Sequence, residues 1–253
     1  YRHILKSICI AMKRLLINAG NTNIEFALAD DSTINDYEKI DTRAFLNGEK
    51  ESAILKKNSD CEIIAATVVP ELETCLEQYD IHWFDRTQIT CIDLSQIELE
   101  QMGADRLANA LAASVLCPLP VIVIDSGTAI STEILDANKK LLGGMIMPGR
   151  RVMRNALSRD TALLPEIPWQ NERPEPYAGN TVDAMRAGID LGCIGALEKL
   201  ITATIESLGT DCHVIVIGGD KDFISDHLEI AENGPEHFTL RGLIIYAQGL
   251  KKS

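Results

Sequence analysis

Asp105 and Arg106, in the stretch Gly103-Ala104-Asp105-Arg106, stand at the head of an Ala- and Leu-rich run, LANALAAS. A carboxylate there can accept a proton from an attacking hydroxyl and orient it, as phosphoryl transfer requires. Arg106 beside it can hold a substrate carboxylate through a two-pronged hydrogen bond. The plainer alternative is an Asp in a helix's first turn that stabilises the dipole by about 0.3–1 kcal/mol. Two other stretches pair Gly with Thr: Asn18-Ala19-Gly20-Asn21-Thr22 and Asp125-Ser126-Gly127-Thr128. Gly lets main-chain N–H groups approach a ligand closely, and successive N–H groups make a concave anion site. A neighbouring Thr adds a hydroxyl donor. Two such turns could grip a nucleotide's phosphates from both sides. Gly218-Gly219, directly after His213–Ile217, allows flat contact with an adenosine ring or sugar, though strand-Gly-Gly also serves ordinary turns.

The flanking residues predict the elements that carry these turns. Leu15–Ile17 reads as a buried strand, Ala19–Thr22 as a turn, and Ile24, Phe26 and Leu28 as an alternating second strand that ends at Asp30-Asp31. Val121–Ile124, the turn Asp125–Thr128 and the alternating Ile130, Thr132 and Ile134 repeat this plan, closed by Asp136 and Asn138. The repetition points to an internal duplication of one β-hairpin, each copy opening one half of the protein; two unrelated hairpins are the alternative. The expected fold is α/β, two ribonuclease-H-like halves of the actin-like and sugar-kinase ATPase superfamily, with the nucleotide in an interdomain cleft. The halves are placed at residues 12–120 and 121–253, with the last helix able to pack back on the first half. Residues 1–11 read as an N-terminal extension, and Met12 as the functional start. Cys61–Pro70 holds a strand, Glu71–Gln78 suits a short helix, and Leu107–Leu116 should be helical. Leu164–Asn180 contains Pro165, Pro168, Pro174 and Pro176 and reads as a mobile loop near the site entrance. Asn180 caps the long helix that follows, with Asp183 in its first turn. Along that helix Ala184, Gly188, Gly192 and Ala196 recur every fourth residue, a small-residue ridge for close helix approach, either between subunits or within the chain.

Composition narrows the function. The net charge of −13 disfavours a nucleic-acid surface, which needs clustered Lys and Arg. No apolar run reaches the roughly 18–20 residues of a membrane span. None of the 7 Cys forms a CxxC pair, which argues against zinc and dithiol chemistry and for a reduced chain in the cytoplasm.

Taken in order, NAGNT, VVP, GADRLANALAA, IDSGTA, LGGMIMPG, NTVDAMRAGI, IGG and TLRGL resemble the type III pantothenate kinase family, from Met12 to about Gly249. The resemblance implies ATP-dependent phosphorylation of pantothenate at its primary hydroxyl, the opening step of coenzyme A synthesis. It implies that Asn18–Glu25 bind the phosphates of ATP with Mg2+, chiefly through Gly20, Asn21 and Thr22, and that Thr128 also binds ATP. Gly103, Ala104, Asp105 and Arg106 would contact pantothenate, with Asp105 as proton acceptor. Asp125 would coordinate a monovalent cation, K+ or NH4+. Thr181 would reach pantothenate from the neighbouring subunit of a homodimer. On the plainer side, Asp125 could cap its turn, Thr128 could bond local backbone, and Thr181 could be an idle first-turn residue. The chain departs from the family at Asn18, where Asp is usual, at Gln96, where Tyr is usual, and at Leu99 in place of Pro. An amide cannot give negative charge to magnesium or its waters, so reduced activity is expected. A catalytically weak or silent nucleotide-binding regulatory homologue is the competing reading. A nuclease on a related sheet is disfavoured by the acidic surface and the missing first Asp.

Overall fold

The computed structural model describes residues 13–250 of the chain. The extension at 1–11 and the start at Met12 lie outside them. The chain divides into two compact units, one from Tyr1–Gln88 and Leu243–Ser253 and one from Ile89–Gly242.

The first unit is built on a five-stranded sheet. Strands β1 (Arg14–Ala19), β2 (Asn23–Ala29) and β3 (Ile34–Asp41) form an antiparallel meander. Helices α1 (Thr42–Leu46) and α2 (Ala53–Lys57) follow, then β4 (Glu62–Thr67), α3 (Glu71–Cys75) and β5 (Ile81–Trp83). The strand order is β3-β2-β1-β4-β5, with β4 parallel to both β1 and β5. Strand β1 is covered on both faces, which is why its sequence is a continuous apolar run rather than an alternation. Leu15, Ile17, Ile24, Phe26, Ile63 and Ala65 build one side of the core with Leu55 and Leu72 from the helices and Leu76 at the end of α3.

The second unit opens with α4 (Ala104–Leu116), ahead of β6 (Val121–Ser126), β7 (Ala129–Leu135), β8 (Leu141–Gly143) and β9 (Ile146–Pro148). Helices α5 (Arg150–Asp160) and α6 (Thr181–Leu208), strand β10 (His213–Ile217), α7 (Lys221–His227), the two-residue β11 (Glu232–Asn233) and α8 (Phe238–Leu250) complete it. The last turns of α8, from Leu243, belong to the first unit. There the Tyr246 hydroxyl accepts from the Asp85 N–H at 2.9 Å and donates to Gln88 Oε1 at 3.1 Å. The sheet runs β11-β10-β6-β7-β8, with β9 also on β7.

The two sheets repeat one plan. In each, an antiparallel hairpin has a third antiparallel strand on one flank and two parallel strands on the other. Strands β1 and β6 share the same burial sequence, and in both the fifth residue, Asn18 or Asp125, is the one left partly open. The α/β fold of two ribonuclease-H-like halves is therefore the observed one. On helix α6 Met185, Ile189, Cys193, Leu197 and Ile201 are buried, while Ala184, Gly188 and Gly192 are exposed and Ala196 is half-buried, so the described residues leave most of the small-residue ridge uncovered.

Candidate active site

The β1–β2 turn is held from below by one buried side chain. Thr42, 2% exposed, donates its hydroxyl to Gly20 O at 2.7 Å and its N–H to Thr22 O at 2.9 Å. The turn closes with Gly20 N–H on Asn23 O at 2.9 Å. Gly20, Asn21 and Thr22 are thereby presented together at one end of the sheet. Asn18 lies directly opposite Glu25 across the ladder and donates Nδ2 to Glu25 Oε2 at 3.1 Å. Tyr37 donates its hydroxyl to Glu25 Oε1 at 2.7 Å. Asn18 Oδ1 is buried without a hydrogen-bond partner.

The second hairpin is fixed by two glycine backbones. A Cβ on Gly149 would lie 2.2 Å from Gly127 O, and one on Gly218 would lie 2.5 Å from Ser126 O and 2.6 Å from Asp125 Oδ1. Gly218 also has φ +91°, which L side chains avoid. Hydrogen bonds from Gly149 N–H to Thr128 O (3.0 Å) and from Asp220 N–H to Ser126 O (3.1 Å) complete the clamp. Gly218 thus braces the turn that carries Asp125 and Thr128, a contact that the sequence alone does not reveal.

Helix α4 brings further groups to Asp125. Gly103 is its N-cap and Ala104 its first residue; Asp105 accepts the Arg106 N–H at 2.8 Å. One turn on, the fully buried Asn109 donates Nδ2 to Asp125 Oδ2 at 3.3 Å and accepts from the Thr239 hydroxyl at 2.7 Å. Arg106 donates Nε to Glu133 Oε1 and Nη2 to Thr132 O, both at 2.8 Å. Two edges of the guanidinium are therefore tied to β7. Glu133 is 0% exposed, and its Oε2 has no partner. Burial pushes its carboxyl up to about 8, against the pull of Arg106 and with a small push from Asp125 and Asp105. Asp105, Arg106, Asp125, Asn109 and Glu133 form one cluster. The sequence marked only the first three, because nothing local distinguishes Glu133 or Asn109.

Thr181 is the exposed first residue of α6, and Asn180 caps the helix by accepting the Asp183 N–H at 3.0 Å. The preceding segment is without helix or strand, as its prolines predict, but its carbonyls have fixed partners. Arg150 Nη2 donates to Gln170 O at 2.8 Å, and Arg186 Nη2 donates to Glu172 O. Both buried arginines of α5 bond Asp190, Arg150 at 2.9 Å and Arg154 at 2.7 Å, and Arg150 reaches Asp220 at 2.7 Å. Trp169 covers both guanidinium groups at 4.7 Å. A pocket of about 430 Å³ lies along this segment, lined by Glu172, Tyr177, Asn180, Asp183 and Arg186 among others; it does not include the Asp105–Asp125 cluster.

Comparison with known proteins matches the chain to one family. A family model described as type III pantothenate kinase matches residues 14–203. A type III pantothenate kinase of Agathobacter rectalis is 32% identical over 257 residues, covering 94% of this chain and 98% of its own. Among solved structures, a conserved Baf family protein from Campylobacter jejuni superposes with a TM-score of 0.66 at 20% identity, covering 94% of this chain and 100% of its own. The ROK hexokinase of Thermus thermophilus gives 0.53 at 11% identity, covering 96% and 100%.

Proposed function

The chain belongs to the type III pantothenate kinase family, and we propose that it transfers the γ-phosphoryl group of ATP to the primary hydroxyl of pantothenate, opening coenzyme A synthesis. The observation that carries this reading is the Asp105–Arg106 pair on the first turn of α4. Arg106 has Nε and Nη2 committed to β7, which leaves Nη1 as the nitrogen to bond a ligand anion. The pantothenate carboxylate is that anion. Asp105 stands one residue away to take the hydroxyl proton as the new P–O bond forms and ADP leaves. Gly103 and Ala104 line the same substrate.

Gly20, Asn21 and Thr22 present donors to phosphate oxygens, supported by the Thr42 brace beneath them. Thr128 donates to the nucleotide from the second hairpin. Asp125, oriented by Asn109, holds the monovalent cation, K+ or NH4+. A kinase of this family uses ATP with a divalent ion. No group of three or more metal-ligating side chains gathers among the described residues, so that ion would be carried by the nucleotide with most of its waters. The buried, unpartnered Asn18 Oδ1 and the Glu25 carboxylate fit such a hydrated ion as acceptors. Its chemical contribution is to neutralise charge on the β- and γ-phosphates.

The exposed ridge of α6 supports a homodimer in which Thr181 reaches the partner's pantothenate. With ATP and pantothenate as its substrates, the enzyme works in the cytoplasm.

ADP formation on mixing ATP and pantothenate, with and without K+, tests the reading. Asp105→Asn should lower kcat by about 100-fold or more, with little change in KM. Wild-type activity retained in that variant, or no turnover of pantothenate by the wild type, would remove the assignment.

A further inference from the structure

The duplicated hairpins keep their acids on different strands. In the second, Asp125 sits on the first strand and faces Ser131 on the next. In the first, the equivalent place on β1 is taken by Asn18, and its cross-strand neighbour is Glu25. Glu25 and Ser131 are themselves equivalent, each the third residue of its strand and each partly exposed. Each hairpin therefore retains one carboxylate at this rung, but in the first it has crossed the ladder.

We propose that Glu25 supplies the negative charge that organises the magnesium-bound nucleotide at the first hairpin, with Asn18 as the neutral acceptor beside it. This rests on the kinase reading given above. Three observations support it. Glu25 is held in place by two donors, the Tyr37 hydroxyl and Asn18 Nδ2. Lys39, opposite Glu25 on β3, makes no ion pair with it among the described residues, so neither oxygen of the carboxylate is occupied by a direct Lys39 contact. Turning Nδ2 toward Glu25 leaves Asn18 Oδ1 buried and without a donor, a state that a metal-bound water would relieve. A carboxylate next to a triphosphate repels the metal-free nucleotide and attracts the magnesium complex. The signature of Glu25 is thus the ratio of the two affinities, not affinity itself.

Calorimetric titration of the full chain with ATP, in magnesium and in chelator, reads that ratio without turnover. The wild type should prefer the magnesium complex. Glu25→Gln should shrink the ratio by about tenfold. Asn18→Asp in the Glu25→Gln background should bring it back. Tyr37→Phe, which removes a hydrogen bond but not the charge, should leave the ratio within about twofold of wild type. The melting temperature separates this from a structural role. In Glu25→Gln the introduced amide can still accept from Tyr37, and it can donate to Asn18 Oδ1 once the Asn18 amide rotates, so the variant should melt no lower than wild type. A lower melting temperature with an unchanged ratio would make Glu25 a structural residue and overturn the proposal. So would a double variant that binds metal-free ATP normally yet fails to recover the ratio. If the wild type binds ATP in neither condition, the kinase reading falls together with this assignment.

Discussion

Burial raises the Glu133 carboxyl to about 8 because Arg106 and its surroundings do not repay the loss of water. The folded-state value lies above that of the unfolded chain, near 4.5, so folding retains a proton that unfolding releases. The associated stability is whole below about pH 4.5 and is lost as pH rises through about 8, at most about 1.4 kcal/mol per pH unit. Glu133→Gln keeps an acceptor for Arg106 Nε and cannot ionise. Its stability relative to wild type should therefore rise between pH 5 and 8.5 in urea unfolding; a constant difference would show that the carboxyl titrates at an ordinary value. Below about pH 8 Glu133 is neutral, and the full charge of Arg106 is left for the substrate. None of this could be read from the chain. Glu133 sits 27 positions from Arg106, and only the fold sets one against the other.

Among the elements, the hairpins were legible because their signals are local. Gly, Asn and Asp at the turns and the alternation after them fix β1–β2 and β6–β7 without tertiary help. The Asn180 cap was legible for the same reason. Strands β8, β9 and β11 were not, since two or three residues acquire strand character only from a partner. The arginine cluster on α5 was equally hidden, although it decides how the segment before α6 lies. Asp190 accepts from both Arg150 and Arg154, all three buried. Asp190→Asn leaves those cations with Asp220 as their remaining buried acid and should cost about 3–5 kcal/mol in denaturant unfolding. It should also speed proteolytic cutting between residues 161 and 180, where carbonyls now rest on these side chains. Unchanged stability would mean that the cluster is solvated in solution.

Across the whole molecule, duplication gives two sheets of one design, and the described residues leave one face of α6 uncovered. Gly188 has nothing within 4 Å of where a Cβ would stand, so a larger side chain meets no obstacle there among the described residues. Gly188→Leu should fold with an unchanged or slightly higher melting temperature, because Leu outranks Gly in a helix by roughly 0.5–1 kcal/mol. If the ridge joins two subunits, the variant should sediment as a monomer and lose pantothenate turnover through loss of the partner's Thr181. A dimer that sediments like wild type would place the subunit contact elsewhere.

The chain has two tryptophans, and the division of the fold gives one to each unit: Trp83 on β5 and Trp169 over the arginines. The protein thus carries a separate optical reporter in each half. Exchanging either indole for phenylalanine would isolate the other's emission, so the opening of one half could be followed while the other stays dark.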